Sequence, residues 1–296
     1  MVSALILAAA LAFAAQAAHA ADPIGIVGIL EGAATVVRGA GRLHMVEGMK
    51  LEPGDIVQTG ADSLVQMELG GESVVQLGPA TNAMLDNAGA RGKPAQPWVY
   101  VMDGWVKARG GSGNKVDLRT PLVEVPAAPA VVVMRTSPQE VSMFVERGDV
   151  RLVERGPKGA PGAPLTLAAN QLYQRKAGMV RNVSSGALPA FTQGMPRSFR
   201  DSLPLRAERY AGREIKPREA PPFSYDDVRA WIQAEPAVRR PFVKRWRAKA
   251  REPAFRAEIV SNMNAHMEWD PVLFPEKYLP KPPVLPASAS AQRRPE

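Results

Sequence analysis

The sequence predicts a mainly β protein, a twisted antiparallel β-sandwich or solenoid-like β domain followed by a small C-terminal helical segment. Apolar and polar residues alternate over residues 65–69, and less strictly over 72–77, on the two sides of Gly70-Gly71. Such patterning around a two-residue glycine turn is typical of a β-hairpin. The same order of strand, turn glycine and strand occurs five times before residue 185. Late in the chain the apolar residues recur every four positions, which indicates helix.

The first twenty residues have the composition of a secretory signal peptide. Residues 2–18 are apolar and rich in alanine and leucine, and Ala18-His19-Ala20 places small residues at the two positions that a signal peptidase reads. We therefore expect residues 1–20 to be removed near Ala20 and the mature chain to be periplasmic or secreted. No later run of eighteen apolar residues occurs, so no transmembrane span is expected. The chain has no cysteine, which excludes disulfides from its stabilisation.

Residues 21–185 form the predicted β domain. Five hairpins are expected, and their turns lie at Glu31-Gly32, Gly70-Gly71, Asp103-Gly104, Arg147-Gly148 and Ala177-Gly178. The turns are irregularly spaced, so a strict repeat is not predicted, and a sandwich, a barrel and a stacked solenoid are all compatible with the pattern. Glycine and proline predict loops at residues 89–97, 110–114 and 156–164.

Residues 186–222 are predicted to be a proline-rich connector. Six prolines interrupt this stretch, which has no sustained apolar period. Phe191, Phe199 and Tyr210 are large aromatic residues that a free linker would leave in water. We therefore expect the connector to pack against another part of the protein.

Residues 223–279 are predicted to form a small helical domain. Ser224 is a favourable N-cap residue for a helix that reaches about Ala234. Glu-Pro-Ala begins at Glu235 and again at Glu252, and proline suits the first turn of a helix. The last predicted helix carries an apolar stripe formed by Phe255, Ile259, Met263 and Met267. Residues 280–296 contain proline, serine and alanine without an apolar period, which predicts a disordered tail.

Between residues 48 and 77 the chain contains Gly48, Leu51, Gly54, Asp55, Val57, Thr59, Gly60 and Gly71. This spacing resembles the FecR-type periplasmic domain, whose pattern joins G-x-x-L-x-x-G-D-x-I-x-T-G to a strand pair around a glycine turn. Val57 stands where isoleucine is usual in that pattern. The likeness covers roughly residues 24–182, and it implies a solenoid-like β fold and a role in envelope signalling or recognition. Regulators of that family typically carry a transmembrane helix behind a cytoplasmic anti-sigma segment. Neither is expected here, so direct transmembrane regulation of a sigma factor is not expected either.

No residue pattern predicts an enzyme. His44 and His266 are far apart and lie near no acidic cluster with ligand spacing, so no metal site is expected. Ser112 lies in a glycine-rich loop rather than in a nucleophile elbow. Asp55 belongs to Pro-Gly-Asp, a turn in which the aspartate side chain ordinarily bonds to the nearby backbone. We therefore expect no catalytic residues, no cofactor and no metal.

The net charge of +8 is concentrated in the C-terminal third, where residues 191–296 carry 20 lysines and arginines against 13 acidic residues. The predicted interaction surface is the basic middle helix with its tryptophan, and it comprises Arg239, Arg240, Lys244, Arg245, Trp246, Arg247, Lys249 and Arg251. Such a surface suits anionic lipid head groups, lipopolysaccharide or an acidic protein patch. Lysine and arginine stems that merely cover a helical bundle would give the same pattern. Nucleic acid is not expected as the partner of an exported chain.

These observations leave two kinds of function open. The first is a non-enzymatic exported module for binding or envelope signalling, whose partner is an envelope protein or an anionic envelope component. The second is an envelope polysaccharide- or anionic-lipid-binding protein, in which Trp98, Tyr100 and Trp105 form a stacking strip along one hairpin. A hydrolase is less favoured, because it needs carboxylates that converge from distant strands. The pattern does not indicate an oligomeric state.

Overall fold

A computed structural model describes residues 22–70, 72–87, 96–111 and 116–279 of the protein. Strands predominate in this part of the chain and a short helical segment follows them, which confirms the predicted fold class. The described residues form seventeen strands: β1 (Gly25–Glu31), β2 (Ala34–Arg38), β3 (Gly41–His44), β4 (Lys50–Leu51), β5 (Ile56–Thr59), β6 (Leu64–Glu68), β7 (Val74–Leu77), β8 (Asn82–Asp86), β9 (Trp98–Arg109), β10 (Asp117–Arg119), β11 (Val123–Val125), β12 (Val131–Thr136), β13 (Glu140–Arg147), β14 (Val150–Arg155), β15 (Pro161–Leu167), β16 (Gln171–Lys176) and β17 (Asn182–Ser185). The predicted signal peptide and tail lie outside the described residues, as do most of the loops predicted at 89–97 and 110–114.

The strands form two stacked sheets that share one strand. The order in the first sheet is β4-β1-β6-β7-β9-β12-β13-β16-β17, and in the second it is β3-β2-β5-β8-β9-β10-β11-β14-β15. All neighbours are antiparallel except β9 and β10. β9 belongs to both sheets, because residues 98–103 pair with β8 and residues 104–109 pair with β12.

The chain winds from one sheet to the other. After β9, the hairpins β10–β11, β12–β13, β14–β15 and β16–β17 lie alternately in the second and the first sheet. The molecule is therefore a sandwich whose chain follows a flattened solenoid, so both predicted architectures describe one structure. Side chains of the two sheets, among them Val36, Val65 and Leu152, are buried between them. Burial of each such side chain stabilises the fold by roughly 1.5–3 kcal/mol.

Two of the five predicted hairpins are confirmed, namely β6–β7 and β16–β17. In the first turn Gly70 has a φ of +83°, while Gly71 lies outside the described residues. The hairpins predicted at Glu31-Gly32 and Arg147-Gly148 are wrong, because the chain crosses there from one sheet to the other. Gly32 and Gly148 have φ values of +73° and +77°, and a glycine with positive φ serves such a corner as well as a hairpin.

The hairpin predicted at Asp103-Gly104 is also wrong, because β9 is continuous through these residues. A register shift opposite Asn82 marks a bulge at this point, and the bulge changes which side chains face outward. Trp98 and Tyr100 face outward from the second sheet, whereas Trp105 faces outward from the first. The three rings therefore lie on opposite faces of the sandwich and do not form the predicted stacking strip.

The connector covers the outer face of the first sheet. α1 (Pro189–Gly194) places Phe191 against Trp105, with the ring centroids 5.3 Å apart. Phe199 is buried against the same face. Farther along, the backbone N–H groups of Arg206 and Ala207 donate to the carboxylate of Glu68 at 2.7 and 3.0 Å. The prediction that the connector packs against the protein is confirmed.

The helical segment covers the outer face of the second sheet. Its helices are α2 (Tyr225–Ile232), α3 (Pro236–Arg245), α4 (Pro253–Ser261) and α5 (Asp270–Leu273), with short 3-10 turns between them. Ser224 caps α2 as predicted, because its hydroxyl oxygen accepts the backbone N–H of Asp227. The indole N–H groups of Trp231 and Trp246 attach the helices to the sheet by donating to Asn82 Oδ1 and the Gly39 carbonyl, each at 2.9 Å. None of the described helices combines the length and the apolar character that a membrane span requires.

Two local predictions need correction. The apolar stripe of the last helix ends at Ile259, because α4 stops at Ser261 and the side chain of Met267 is 69% exposed. The loop predicted at residues 156–164 ends early, because its last residues belong to β15 and pair with β14. β15 is the edge strand of its sheet, where the missing N–H of a proline costs little.

Candidate functional site

α3 docks on the second sheet, and this divides the predicted interaction residues into several groups. Pro236 lies in the first turn of α3, where a missing N–H is tolerated. The helix buries Val238 and Phe242 against the sheet. Of the eight predicted residues, some are therefore buried, some are paired and some are exposed.

Trp246 and Lys249 are buried. The ring of Trp246 stacks on Phe242 with the centroids 4.3 Å apart. The ammonium group of Lys249 lies 4.8 Å from the ring centroid of Phe223 and 2.5 Å from Glu252 Oε2. Both side chains belong to the packing between helices, so the predicted surface has to be redrawn without them.

Four cations of the predicted set are exposed, and we name them the basic row: Arg240, Lys244, Arg247 and Arg251. Their spacing of three or four residues places them along one side of α3 and of the turns that follow it. None of the four forms a hydrogen bond or ion pair with a described residue. Arg239 differs, because its guanidinium group donates to both carboxylate oxygens of Glu268 at 2.8 to 3.1 Å.

Arg245, the remaining member, lines a cleft between α3 and the second sheet, which we name the α3 cleft. Its volume is about 410 Å³, within the usual size range of ligand sites. The lining residues are Pro53, Gly54, Met84, Asp86, Trp98, Tyr100, Arg119, Arg155, Glu235, Ala237, Val238, Pro241, Phe242 and Arg245. Six elements thus build it: the turn before β5, the strands β8, β9 and β10, the end of β14, and α3.

The turn at Pro53-Gly54-Asp55 forms one rim of the α3 cleft. Gly54 has a φ of +85° and lies so close to the Arg245 guanidinium group that a Cβ atom has no room. Asp55 is buried, and its carboxylate accepts the Glu52 N–H at 2.9 Å, which confirms its predicted role in the turn. The same carboxylate also accepts two hydrogen bonds from Arg38, at 2.6 and 2.9 Å. This ion pair joins the turn to β2.

Three arginines and two carboxylates, those of Asp86 and Glu235, carry the charge of the α3 cleft. Arg155 forms an ion pair with Glu235 at one end of the cleft. Burial, reinforced by the negative charge of Glu235, raises the pKa of the nearby Tyr100. Arg119 lies over the ring of Trp98, with its Cζ atom 4.9 Å from the centroid.

Three donors in the α3 cleft have no hydrogen-bond acceptor among the described residues: the guanidinium group of Arg245, the indole N–H of Trp98 and the Nε–H of Arg119, which lies 3.6 Å from Glu124 Oε1. The guanidinium group of Arg245 makes no hydrogen bond or ion pair there. Burial lowers its pKa, although the carboxylates of Asp55 and Asp86 oppose that effect. The indole N–H of Trp98 is buried and likewise lacks an acceptor. The cleft is therefore complementary to a ligand that carries a negative charge and a hydrogen-bond acceptor.

The sequence did not indicate Arg119, Arg155 and Glu235 as members of a site. They lie on β10, at the end of β14 and immediately before α3, and only the winding of the chain brings them together. The sequence offers one local sign of the site. Asp117 and Arg119 are two positions apart on a short strand, so both charged side chains lie on the same side of the sheet.

The histidines do not build a site. His266 is buried, and its Nε2 lies 3.0 Å from the hydroxyl oxygen of Tyr225. Burial lowers the pKa of His266. His44 is exposed at the end of β3. Among the residues that the structure describes, no three His, Asp or Glu side chains are grouped so as to hold a metal ion.

Comparisons with known proteins give a weak similarity. No family model and no curated protein matches the chain. Two crystal structures of a candidate anti-sigma factor from Parabacteroides distasonis ATCC 8503, at 1.65 and 2.50 Å resolution, are similar to part of it. Their sequence identities to this chain are 14% and 13%, the TM-score is 0.36 for both, and the similar region covers 44% of this chain. That region spans 59% of the length of the solved chains. A likeness at this level transfers neither a site nor a partner.

Proposed function

We propose that this protein is an exported, non-enzymatic binding module of the cell envelope whose α3 cleft and basic row recognise an acidic segment of an envelope protein. The observation that carries the proposal is that donors in the cleft lack a described acceptor, among them the half-buried guanidinium group of Arg245 and the buried indole N–H of Trp98. A buried polar group without a partner costs about 1–3 kcal/mol, which a bound acceptor recovers. A peptide supplies a side-chain carboxylate for the first donor and a backbone carbonyl for the second.

The apolar walls and the basic row suit the same occupant. Pro53, Ala237 and Pro241 line the cleft and are partly or fully exposed, so they offer contacts to the apolar side chains of a peptide. Outside the cleft, the basic row extends the positive charge along α3. Charge complementarity of this kind accelerates the encounter with an acidic partner and disfavours basic ones.

Stacking of a polysaccharide in the α3 cleft is a poorer fit. Trp98 and Tyr100 are buried side chains rather than an open platform. Arg119 covers one face of the Trp98 ring, and Arg155 lies 5.7 Å from the centroid of Tyr100. A sugar ring needs a free aromatic face, and the guanidinium groups occupy these positions.

Insertion into anionic lipid is likewise less favoured. A helix that binds at a membrane surface presents large apolar side chains beside its cations. α3 buries its large apolar residues, and the exposed ones of the described chain lie elsewhere, for example Met179 and Val180 in the turn before β17. The basic row therefore supports a partner that is met through charge, such as a protein.

The state of Glu235, one of the two carboxylates that line the α3 cleft beside Asp86, supports a binding role rather than catalysis. Glu235 is held by Arg155, which also donates to the Thr120 carbonyl at 2.9 Å. This ion pair closes one end of the cleft. The Glu235 carboxylate is therefore engaged by Arg155 rather than available to a substrate. The apolar N-terminal stretch and the FecR-like pattern of residues 48–77 support export to the envelope.

A peptide-binding assay tests the proposal. The purified chain should bind a synthetic peptide of alternating glutamate and leucine and should not bind its lysine–leucine counterpart. Arg245→Glu should weaken binding about thirtyfold or more, since loss of a desolvated charge contact costs about 2 kcal/mol or more. Arg247→Glu should weaken it less, because the side chain is exposed. Arg213→Glu, an equal charge change in the exposed part of the connector, should leave it unchanged.

Other outcomes favour the other interpretations. The chain could bind no peptide but be retained on anionic vesicles or peptidoglycan. If Arg245→Glu and Arg247→Glu abolish that retention, the lipid or polysaccharide alternative is supported. Cell fractionation and the mass of the mature protein test export, which should leave a chain that begins after Ala20. Recovery of the uncleaved chain from the cytoplasm would contradict the proposed location.

A further inference from the structure

A second group of unsatisfied polar side chains lies on the opposite side of the sandwich. It occupies a groove of about 340 Å³ between the outer face of the first sheet and residues 200–203 of the connector, which we name the connector groove. A neighbouring space of about 480 Å³ extends it, and Arg109 and Arg147 line both. The connector groove shares no residue with the α3 cleft.

Strand register places its polar side chains in two neighbouring rows. In one row Gln66 lies opposite Gln76, and Gln76 lies opposite Lys107. In the next row Arg109 and Arg147 lie on the two sides of Val131. Adjacent strands are roughly 4.8 Å apart, so the two arginine backbones are about 10 Å from each other. Side chains of this length can converge on one small anion.

Only some of the cations in the connector groove have partners. Lys107 forms an ion pair with Glu146 at 2.8 Å and donates to the Phe199 carbonyl at 2.5 Å. Arg200 donates to the Thr192 carbonyl at 2.9 Å. In contrast, neither Arg109 nor Arg147 forms a hydrogen bond or ion pair with a described residue. The carboxylates of Glu146, Asp201 and Glu72 also line these spaces, but none of them forms an ion pair with Arg109 or Arg147.

The groove also contains a buried acceptor without a donor. Gln76 is only 6% exposed, and its amide nitrogen donates to Gln66 Oε1 at 2.9 Å. Gln66 in turn donates to the Pro204 carbonyl at 2.9 Å, which fixes the orientation of both amides. Gln76 Oε1 has no hydrogen-bond partner in the part of the chain that the structure describes. A polar atom buried in this way needs a hydrogen-bond donor, and a ligand with an O–H group supplies one.

We propose that the connector groove binds a small hydroxylated anion, a sugar that carries a carboxylate or a phosphate group. The anionic group lies between Arg109 and Arg147, whose planar guanidinium groups suit both kinds of anion. A hydroxyl group of the sugar donates to Gln76 Oε1. The arginines thus supply affinity for the charge, and the glutamine distinguishes a hydroxylated ligand from a simple anion.

Calorimetric titration of the full chain at low salt tests this proposal with defined probes: glucuronate, glucose 6-phosphate, glucose, acetate and inorganic phosphate. At least one sugar anion should bind saturably and more tightly than its simple anion, and glucose should not bind. Arg109→Ala and Arg147→Ala should each weaken binding about ten- to hundredfold, the effect of losing one hydrogen bond to a charged group. Arg151→Ala, which removes an exposed arginine from β14 of the other sheet, should have no effect.

Gln76→Met tests the acceptor separately, because it keeps the side-chain length but removes the carbonyl oxygen. This variant should bind the sugar anion no better than the corresponding simple anion. The difference between glucuronate and glucose 6-phosphate identifies the preferred anion. Absence of saturable binding by either sugar anion, or binding that both arginine variants retain, would overturn the proposal. Should Gln76→Met fail to fold, the arginine variants and their Arg151 control decide the question alone.

Discussion

Replacement of Trp246 by alanine is expected to destabilise the whole protein, because this ring joins the helical segment to the second sheet. The ring is buried, stacks on Phe242, and lies 5.5 Å from the ring centroid of Phe223. Its N–H donates to the Gly39 carbonyl in the turn between β2 and β3. Truncation of a buried tryptophan to alanine costs about 3–5 kcal/mol. The total stability of a domain is about 5–15 kcal/mol, so the loss is a large part of it.

A second substitution separates packing from hydrogen bonding. Trp246→Phe keeps an aromatic ring on Phe242 but removes the N–H group. Gly39 is exposed, so water can reach its carbonyl once the indole is gone. We therefore expect the lost hydrogen bond to cost about 1 kcal/mol, and Trp246→Phe to be clearly milder than Trp246→Ala.

The assay is equilibrium unfolding in urea, followed by far-ultraviolet circular dichroism. Val180→Ala is the control, because Val180 is 93% exposed and the substitution should change the free energy of unfolding by less than about 0.5 kcal/mol. The reasoning is refuted if Trp246→Ala costs less than about 1 kcal/mol. It is also refuted if the helices unfold in a separate transition that leaves the strand signal intact.

Three other predictions concern buried charge, backbone conformation and pH. Gly54→Ala should lower the free energy of unfolding by about 1–3 kcal/mol, because alanine is strained at the positive φ that Gly54 adopts. It should also displace Arg245 and so reduce binding of the acidic peptide under conditions in which the variant is folded. Arg38→Met should cost about 3–5 kcal/mol in urea unfolding, because it leaves the buried carboxylate of Asp55 without its cation. His266 has a pKa lowered from 6.5, so the unfolded chain takes up the proton first as the pH falls. The free energy of unfolding should therefore decrease below about pH 6.5, and His266→Phe should remove that component.

Each of these expectations has an outcome that contradicts it. If Gly54→Ala is as stable as the parent chain, a side chain at position 54 does not strain the turn, and the expectation is wrong. If Asp55→Asn restores none of the stability lost in Arg38→Met, the loss does not come from the unpaired carboxylate. A pH dependence that persists in His266→Phe would place the titration elsewhere, and His44→Phe, at an exposed position, is the matched control. Burial is the main cause of the His266 shift, and Arg239 adds to it while Glu268 opposes it.

The two proposed sites use the same scaffold in the same way. Each lies where a later segment of the chain covers an outer face of the sandwich, α3 on the second sheet and the connector on the first. A flat sheet face offers little enclosure, whereas a segment laid across it creates a groove with two walls. Failure of peptide binding at the α3 cleft would therefore leave the connector groove untouched, since the sites share neither residues nor covering segment.

The sequence by itself determined the features that depend on neighbours along the chain. Alternating residues around Gly70 predicted the β6–β7 hairpin, because the side-chain period of a strand is local. Ser224 predicted the start of α2, because an N-cap satisfies N–H groups two or three residues away. The turn role of Asp55 was predictable for the same reason.

Only the tertiary structure decided which strands pair and which side chains are exposed. The turn glycines at Gly32 and Gly148 adopt the same positive φ as Gly70, but they pass the chain between sheets instead of joining paired strands. Backbone conformation is a local property, whereas the hydrogen-bond partners of a strand lie on distant segments. The burial of Trp246 shows the same limit for side chains, because it depends on distant strands and on a hydrogen bond to Gly39, 207 residues earlier in the chain. Both candidate sites exist only where such distant segments meet.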